Sequence, residues 1–103
     1  MIVVNTENIP GRSYQVISLV TGCCILTKNA FKDFGSGIRN MVGGEMGAYT
    51  KMLDESQQNA VKKMIESAAK MGADAIVNVR FSSSSIVQGG AEILVSGTAV
   101  KLL

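Results

Sequence analysis

The segment GGEMGAYTKMLDESQQNAVKKMIESAAKMG, residues 43–72, decides how the rest of the chain is read. Met46, Tyr49, Leu53, Ala60, Met64, Ala68 and Met71 recur at steps of three and four, with Gln57 filling one slot. This is the spacing of an amphipathic helix. The opposite face carries Lys51, Asp54, Glu55, Gln58, Lys62, Glu66 and Lys70, within which Lys62, Glu66 and Lys70 form i,i+4 pairs. The helix is expected over Glu45–Met71. Glu45 sits in its first turn, where a carboxylate is favoured by the helix dipole. Gly72 supplies the stop after Lys70. About 27 residues make a helix of roughly 40 Å. A compact chain of this size has a diameter of only about 33 Å. A straight helix would overhang its own domain, so either it bends near Gly47 or its end packs against a neighbouring copy, the latter being the favoured expectation.

Strand patterns flank the helix on both sides. Residues 2–5 are a short β-branched run, ended by the turn signal Asn8-Ile9-Pro10-Gly11. Tyr14–Thr27 reads as a long strand, with Tyr14, Val16, Ser18, Val20, Gly22, Cys24 and Leu26 on one face. Ile17, Leu19, Thr21, Cys23 and Ile25 lie on the other, so both faces are largely apolar and both are expected to be covered, with another subunit a candidate for one of the covers. Phe31, Phe34, Ile38 and Met41 suggest a short helix, weakened by Gly35 and Gly37. After Gly72, Ala75, Val77, Val79 and Phe81 line one face of a second strand, and Asn78, Arg80 and Ser82 the other. Ser82–Gly90 is a polar connection. A last strand, Ala91–Leu102, alternates Ile93, Val95, Gly97 and Ala99 with Leu94, Ser96, Thr98 and Val100. The last two strands are sequential and expected to pair antiparallel. The order predicts an α+β fold, an antiparallel sheet with the long helix on one face and a short N-terminal strand.

Composition narrows the function classes. The chain has 103 residues, 47% apolar and 17% charged, which fits one folded domain over 1–103. Its net charge of +2 is too small and scattered for a nucleic-acid or membrane-surface partner. No stretch resembles a signal peptide or reaches the roughly 20 apolar residues of a membrane span, so a cytoplasmic protein is expected. Cys23 and Cys24 are then reduced thiols. As strand neighbours they point to opposite faces and do not bridge each other. Histidine is absent. That removes Ser-His-Asp and Cys-His catalysis and the commonest metal ligand.

What chemistry remains is sparse. No metal-ligand spacing occurs, although a symmetric oligomer would gather one cysteine per copy around a soft metal. Gly35-Ser36-Gly37 and Gly43-Gly44 lack the residues of a phosphate loop and fit tight turns instead. Asp33, Arg39 and Glu45 flank this glycine-rich corner and are the ligand-binding candidates. A carboxylate and a guanidinium there suit an anionic small molecule, or an ion pair within or between subunits. No catalytic residue is assigned.

Several stretches carry a resemblance: Asn5-Thr6 with Pro10-Gly11, Val20-Thr21-Gly22, Phe31-Lys32-Asp33, Gly37-Ile38-Arg39, Val42-Gly43-Gly44-Glu45, Gly72-Ala73-Asp74-Ala75-Ile76-Val77 and Ser96-Gly97-Thr98-Ala99-Val100. In this order and spacing the chain resembles the YbjQ-like family of small bacterial proteins. The resemblance implies a dodecin-like strand–helix–strand–strand core and a ring-forming subunit, typically a pentamer. It also brings a label of heavy-metal binding. Asp33, Arg39 and Glu45 fall on the family's motif positions. Ser56-Gln57 stands where the family commonly has Ala-Arg, which removes a cation and any salt bridge it makes. The expected function is a non-enzymatic homo-oligomer that binds a small ligand at subunit interfaces. The alternatives are metal binding through gathered thiols and an enzyme acting on a small anion.

Overall fold

A computed structural model describes residues 1–26, 45–84 and 91–103. The elements run β1 (Ile2–Val3), β2 (Tyr14–Leu26), α1 (Glu45–Lys70), β3 (Ala75–Ser84) and β4 (Ala91–Leu102). They form a four-stranded sheet in the order β1-β3-β4-β2, with α1 packed on one face. β4 lies antiparallel to both β2 and β3, while β1 runs parallel to β3. The sheet is therefore mixed at one edge and antiparallel elsewhere. The expected short helix around Phe31, Phe34, Ile38 and Met41 lies outside the described residues. β3 continues through Ser82–Ser84, which pair with Leu94, Ile93 and Glu92, so part of the expected polar connection is strand.

α1 ends as its sequence requires. Gly72 adopts φ of 80°, a left-handed conformation that costs a residue with a Cβ roughly 1–2 kcal/mol. Its N–H donates to the Ala69 carbonyl at 3.0 Å, and Ala73 N–H donates to Ala68 at 3.1 Å. These paired bonds are a Schellman motif, which satisfies carbonyls that the helix end would leave open. Ala73, the residue after the glycine, packs against the core.

The buried stripe of α1 runs Ser56, Ala60, Met64 and Ala68, with Leu53, Val61 and Ile65 half-buried beside it. Gln57 is exposed, so the expected inward slot belongs to its neighbour Ser56. Met71 is also exposed, because it lies beyond the last turn that the sheet covers. The stripe meets Val20, Ile76, Val79, Ile93, Val95 and Ala99. Each larger side chain buried here contributes about 1.5–3 kcal/mol. The helix lies mainly over β2 and β4 and barely touches β3. Gly22 makes that approach close. A Cβ at Gly22 would collide with the Ala60 carbonyl oxygen and lie 2.8 Å from Met64 N.

Two bulges revise the expected strand faces. In β2 the register with β4 slips between Val16 and Ser18. Ile17 is the extra residue, and it moves Tyr14 and Val16 to the face away from the helix. In β3 the slip falls between Val77 and Arg80, where Asn78 has φ of 56°. Asparagine tolerates this left-handed conformation better than most residues. The bulge puts Ile76 and Val79 together in the core under α1. Ala75 and Val77 turn instead to the far side, with Val100.

That far-side cluster is closed by the N-terminal segment. Val4, Ile9, Tyr14 and Leu102 pack on Ala75, Val77 and Val100. Tyr14 Oη donates to the Glu7 carbonyl at 2.7 Å. Asn78 N–H donates to Thr6 at 2.9 Å and Val79 N–H to Val4 at 3.1 Å. The segment thus fills the outer edge of β3 up to its bulge. Arg80 Nη1 reaches back to the Asn5 carbonyl at 2.8 Å.

Candidate functional site

Of the residues nominated from sequence, Asp33 and Arg39 lie outside the described residues. Glu45 is the first residue of α1, and its side chain is likewise outside the description. The described residues offer three other features: the thiol pair, a groove beside α1, and the open face of β2.

Cys23 and Cys24 are both free and half-buried. Cys24 faces α1 and packs against the core. Cys23 lies on the other face, where its Sγ donates to Glu92 Oε1 at 3.4 Å. The pairing of Ile25 with Glu92 and Cys23 with Leu94 makes Glu92 the diagonal neighbour of Cys23. Burial pushes the Cys23 thiol above its ordinary pKa, and the Glu92 carboxylate raises it further. The Lys63 ammonium pulls the other way, and Lys63 Nζ also donates to the Cys23 carbonyl at 2.9 Å. A raised pKa means less thiolate at neutral pH, hence a weaker nucleophile and metal ligand. Among the described residues no group of three Cys, Asp or Glu side chains converges as a metal site. Glu92 and Lys63 did not stand out in the sequence, since only strand register and helix placement bring them to Cys23.

The groove lies where α1 leaves β3 uncovered. One part, about 560 Å³, is lined by Asp54, Gln57, Gln58, Val61, Lys62, Ile65, Glu66 and Phe81. A second, about 520 Å³, shares Val61 and Phe81 and adds Val3, Val4, Asn5, Thr6 and Val79. Its floor is apolar and its helix rim is polar. Phe81 is 50% exposed on that floor. Gln57, expected at a buried slot, stands on the rim instead. Periodicity marks Phe81 as a core residue, but α1 lies over β2 and β4 and leaves this part of β3 open.

The third feature is β2. It forms one edge of the sheet, and among the described residues no strand pairs with its outer side. Its 13 residues include no charge and no proline. Leu19 is 68% exposed, Val16 61% and Ile25 59%, all on the face away from α1. The expectation that both faces are covered therefore holds for the helix side alone within one chain. Natural edge strands of this length usually carry lysine, proline or inward charges that prevent pairing with other chains. This one carries none.

The ion pair of Asp74 with Lys101, 3.3 Å, sits at the far end of the sheet. Asp74 Oδ2 also accepts from Leu102 N–H at 3.0 Å. That bond, aided by Lys101, holds the Asp74 carboxyl below its ordinary pKa. It ties the start of β3 to the end of β4 and has no ligand-binding geometry.

Among the described residues no helix is long and apolar enough to cross a membrane. Comparison with known proteins places the fold and the lineage. A family model described as "Putative heavy-metal-binding" matches residues 1–103. A UPF0145 protein from Clostridium novyi is 50% identical over 103 residues, covering 100% of both chains. Another from Methanosarcina acetivorans is 46% identical, covering 100% of this chain and 98% of the relative. A crystal structure of a protein of unknown function from Pediococcus pentosaceus, assigned to the DUF74 family, superposes with a TM-score of 0.72. It is 16% identical, covers 100% of this chain and 98% of that one, and so speaks to the fold alone. The α+β architecture and the whole-chain match agree, and the chain belongs to the YbjQ-like family of UPF0145 proteins.

Proposed function

We propose that this protein is a non-enzymatic, cytoplasmic homo-oligomer, a ring with a pentamer favoured, that binds a small ligand where subunits meet. The observation that carries the reading is β2, a long, uncharged, apolar edge strand whose outer side is paired by no strand among the described residues. Size supports it. The chain exposes 6738 Å², whereas a compact monomer of 10.9 kDa exposes about 5,600 Å². The excess compares with the roughly 800 Å² that one partner buries in a standard interface. The radius of gyration, 16.6 Å, also exceeds the roughly 13 Å of a compact chain this long. Sedimentation velocity tests the assembly: a folded monomer at micromolar concentration would refute it.

The family description favours a second reading, heavy-metal binding. The Cys23 thiol beside the Glu92 carboxylate supplies two ligand types, and several copies would be needed to complete a coordination shell. Zinc and copper titrations of the reduced protein, repeated on Cys23→Ser and Cys24→Ser, decide it. Binding that is absent, or unchanged in both variants, removes the reading.

A further inference from the structure

We propose that copies of this chain dock head to tail, the open face of β2 on one copy seating in the α1–β3 groove of the next. The inference rests on the assembly reading above and adds which two surfaces meet. The sheet order β1-β3-β4-β2 puts the strip and the groove at opposite edges of one protomer. The two surfaces are unlike in shape and in charge. The strip is a strand face with Val16, Leu19 and Ile25 exposed and no charged side chain. The groove is concave, with Val61, Ile65 and Phe81 in its floor and Asp54, Lys62 and Glu66 on its rim.

An apolar strip against an apolar floor ringed by polar groups has the core-and-rim anatomy of stable interfaces. Strip on strip would leave both grooves and their half-exposed Phe81 open. Groove on groove would oppose two concave surfaces, which cannot fill each other. Contact between two different surfaces is heterologous, and such contacts build a ring when the rotation between copies closes and an open filament when it does not. In this arrangement the neighbour's Leu19 and Ile25 roof the groove. The open cleft of about 560 Å³ then becomes an intersubunit cavity that neither copy forms alone.

The experiment uses two variants of the full chain, Leu19→Glu on the strip and Phe81→Glu in the groove. Circular dichroism and thermal melting confirm that each folds; Ile25→Glu replaces Leu19→Glu if the latter does not. Each variant alone is expected to weaken assembly by about 100-fold or more, leaving monomers where wild type is assembled. Each retains one intact surface, so an equimolar mixture is expected to form a one-to-one heterodimer and nothing larger, read by native mass spectrometry. A mixture that stays monomeric, or a Phe81→Glu protein that assembles like wild type, overturns the pairing. Wild type that is itself monomeric overturns the assembly reading instead, so the two failures are distinguishable.

Discussion

Replacing Gly22 with alanine tests the closeness of the helix to the sheet, on which the whole core depends. The added methyl would meet the Ala60 carbonyl oxygen and stand 2.8 Å from Met64 N, both backbone atoms of α1. No rotamer relieves a clash with backbone, so the helix must recede by on the order of 1 Å or more to restore ordinary contact. A gap of that size forfeits a quarter to a half of each dispersion contact beneath it. The affected side chains include Met64, Ala60, Val20 and Val95, all nearly inaccessible. Overpacking that side chains can absorb costs about 1–3 kcal/mol. Here the backbone must move, which sets the expected loss at about 3 kcal/mol or more. Glycine's extra freedom in the unfolded chain returns at most about 1 kcal/mol. Urea denaturation at fixed protomer concentration measures the difference, because assembly would otherwise contribute to the apparent stability. A loss below about 1 kcal/mol with an unchanged circular dichroism spectrum would refute the packing argument.

Three further perturbations have defined outcomes. Gly72→Ala forces a Cβ into φ of 80° and should cost roughly 1–2 kcal/mol, while Gly72→Asn should cost less; equal losses in a denaturation series would contradict the cap. Asp74 has a depressed folded pKa, so its contribution is present above the unfolded value and lost as pH falls through the folded one, below 3.8. Asp74→Asn should therefore flatten the acid limb of stability, and an NMR titration placing the Asp74 carboxyl at or above 3.8 would oppose this. Cys23 should alkylate more slowly than a free thiol at about pH 8, and Glu92→Gln should speed it by lowering the thiol pKa. An unchanged rate in Glu92→Gln would remove Glu92 as a cause.

Much of the fold was legible because local chemistry alone decides it. The 3.6-residue period delimits α1 to within a residue of its last turn, and a glycine is needed at the left-handed stop. Alternation likewise places β3 and β4, since a buried face writes a period of two into a strand, while β2 is marked by a long run that is apolar on both faces. The bulges at Ile17 and Asn78 were not legible. A bulge is a relation between two strands, and it reverses every side chain on one side of it while leaving composition unchanged. The choice of Ser56 over Gln57 for burial has a similar cause. Either residue continues a helical stripe, and only the angle at which α1 crosses β2 and β4 selects one. The Cys23–Glu92 contact and the exposure of Phe81 depend on register and on where the helix stops covering the sheet. The same division holds for function. The uncharged composition of Tyr14–Leu26 is written in the chain, but only the strand order makes it an edge. An uncharged strand inside a sheet is ordinary, and at an open edge it invites a partner.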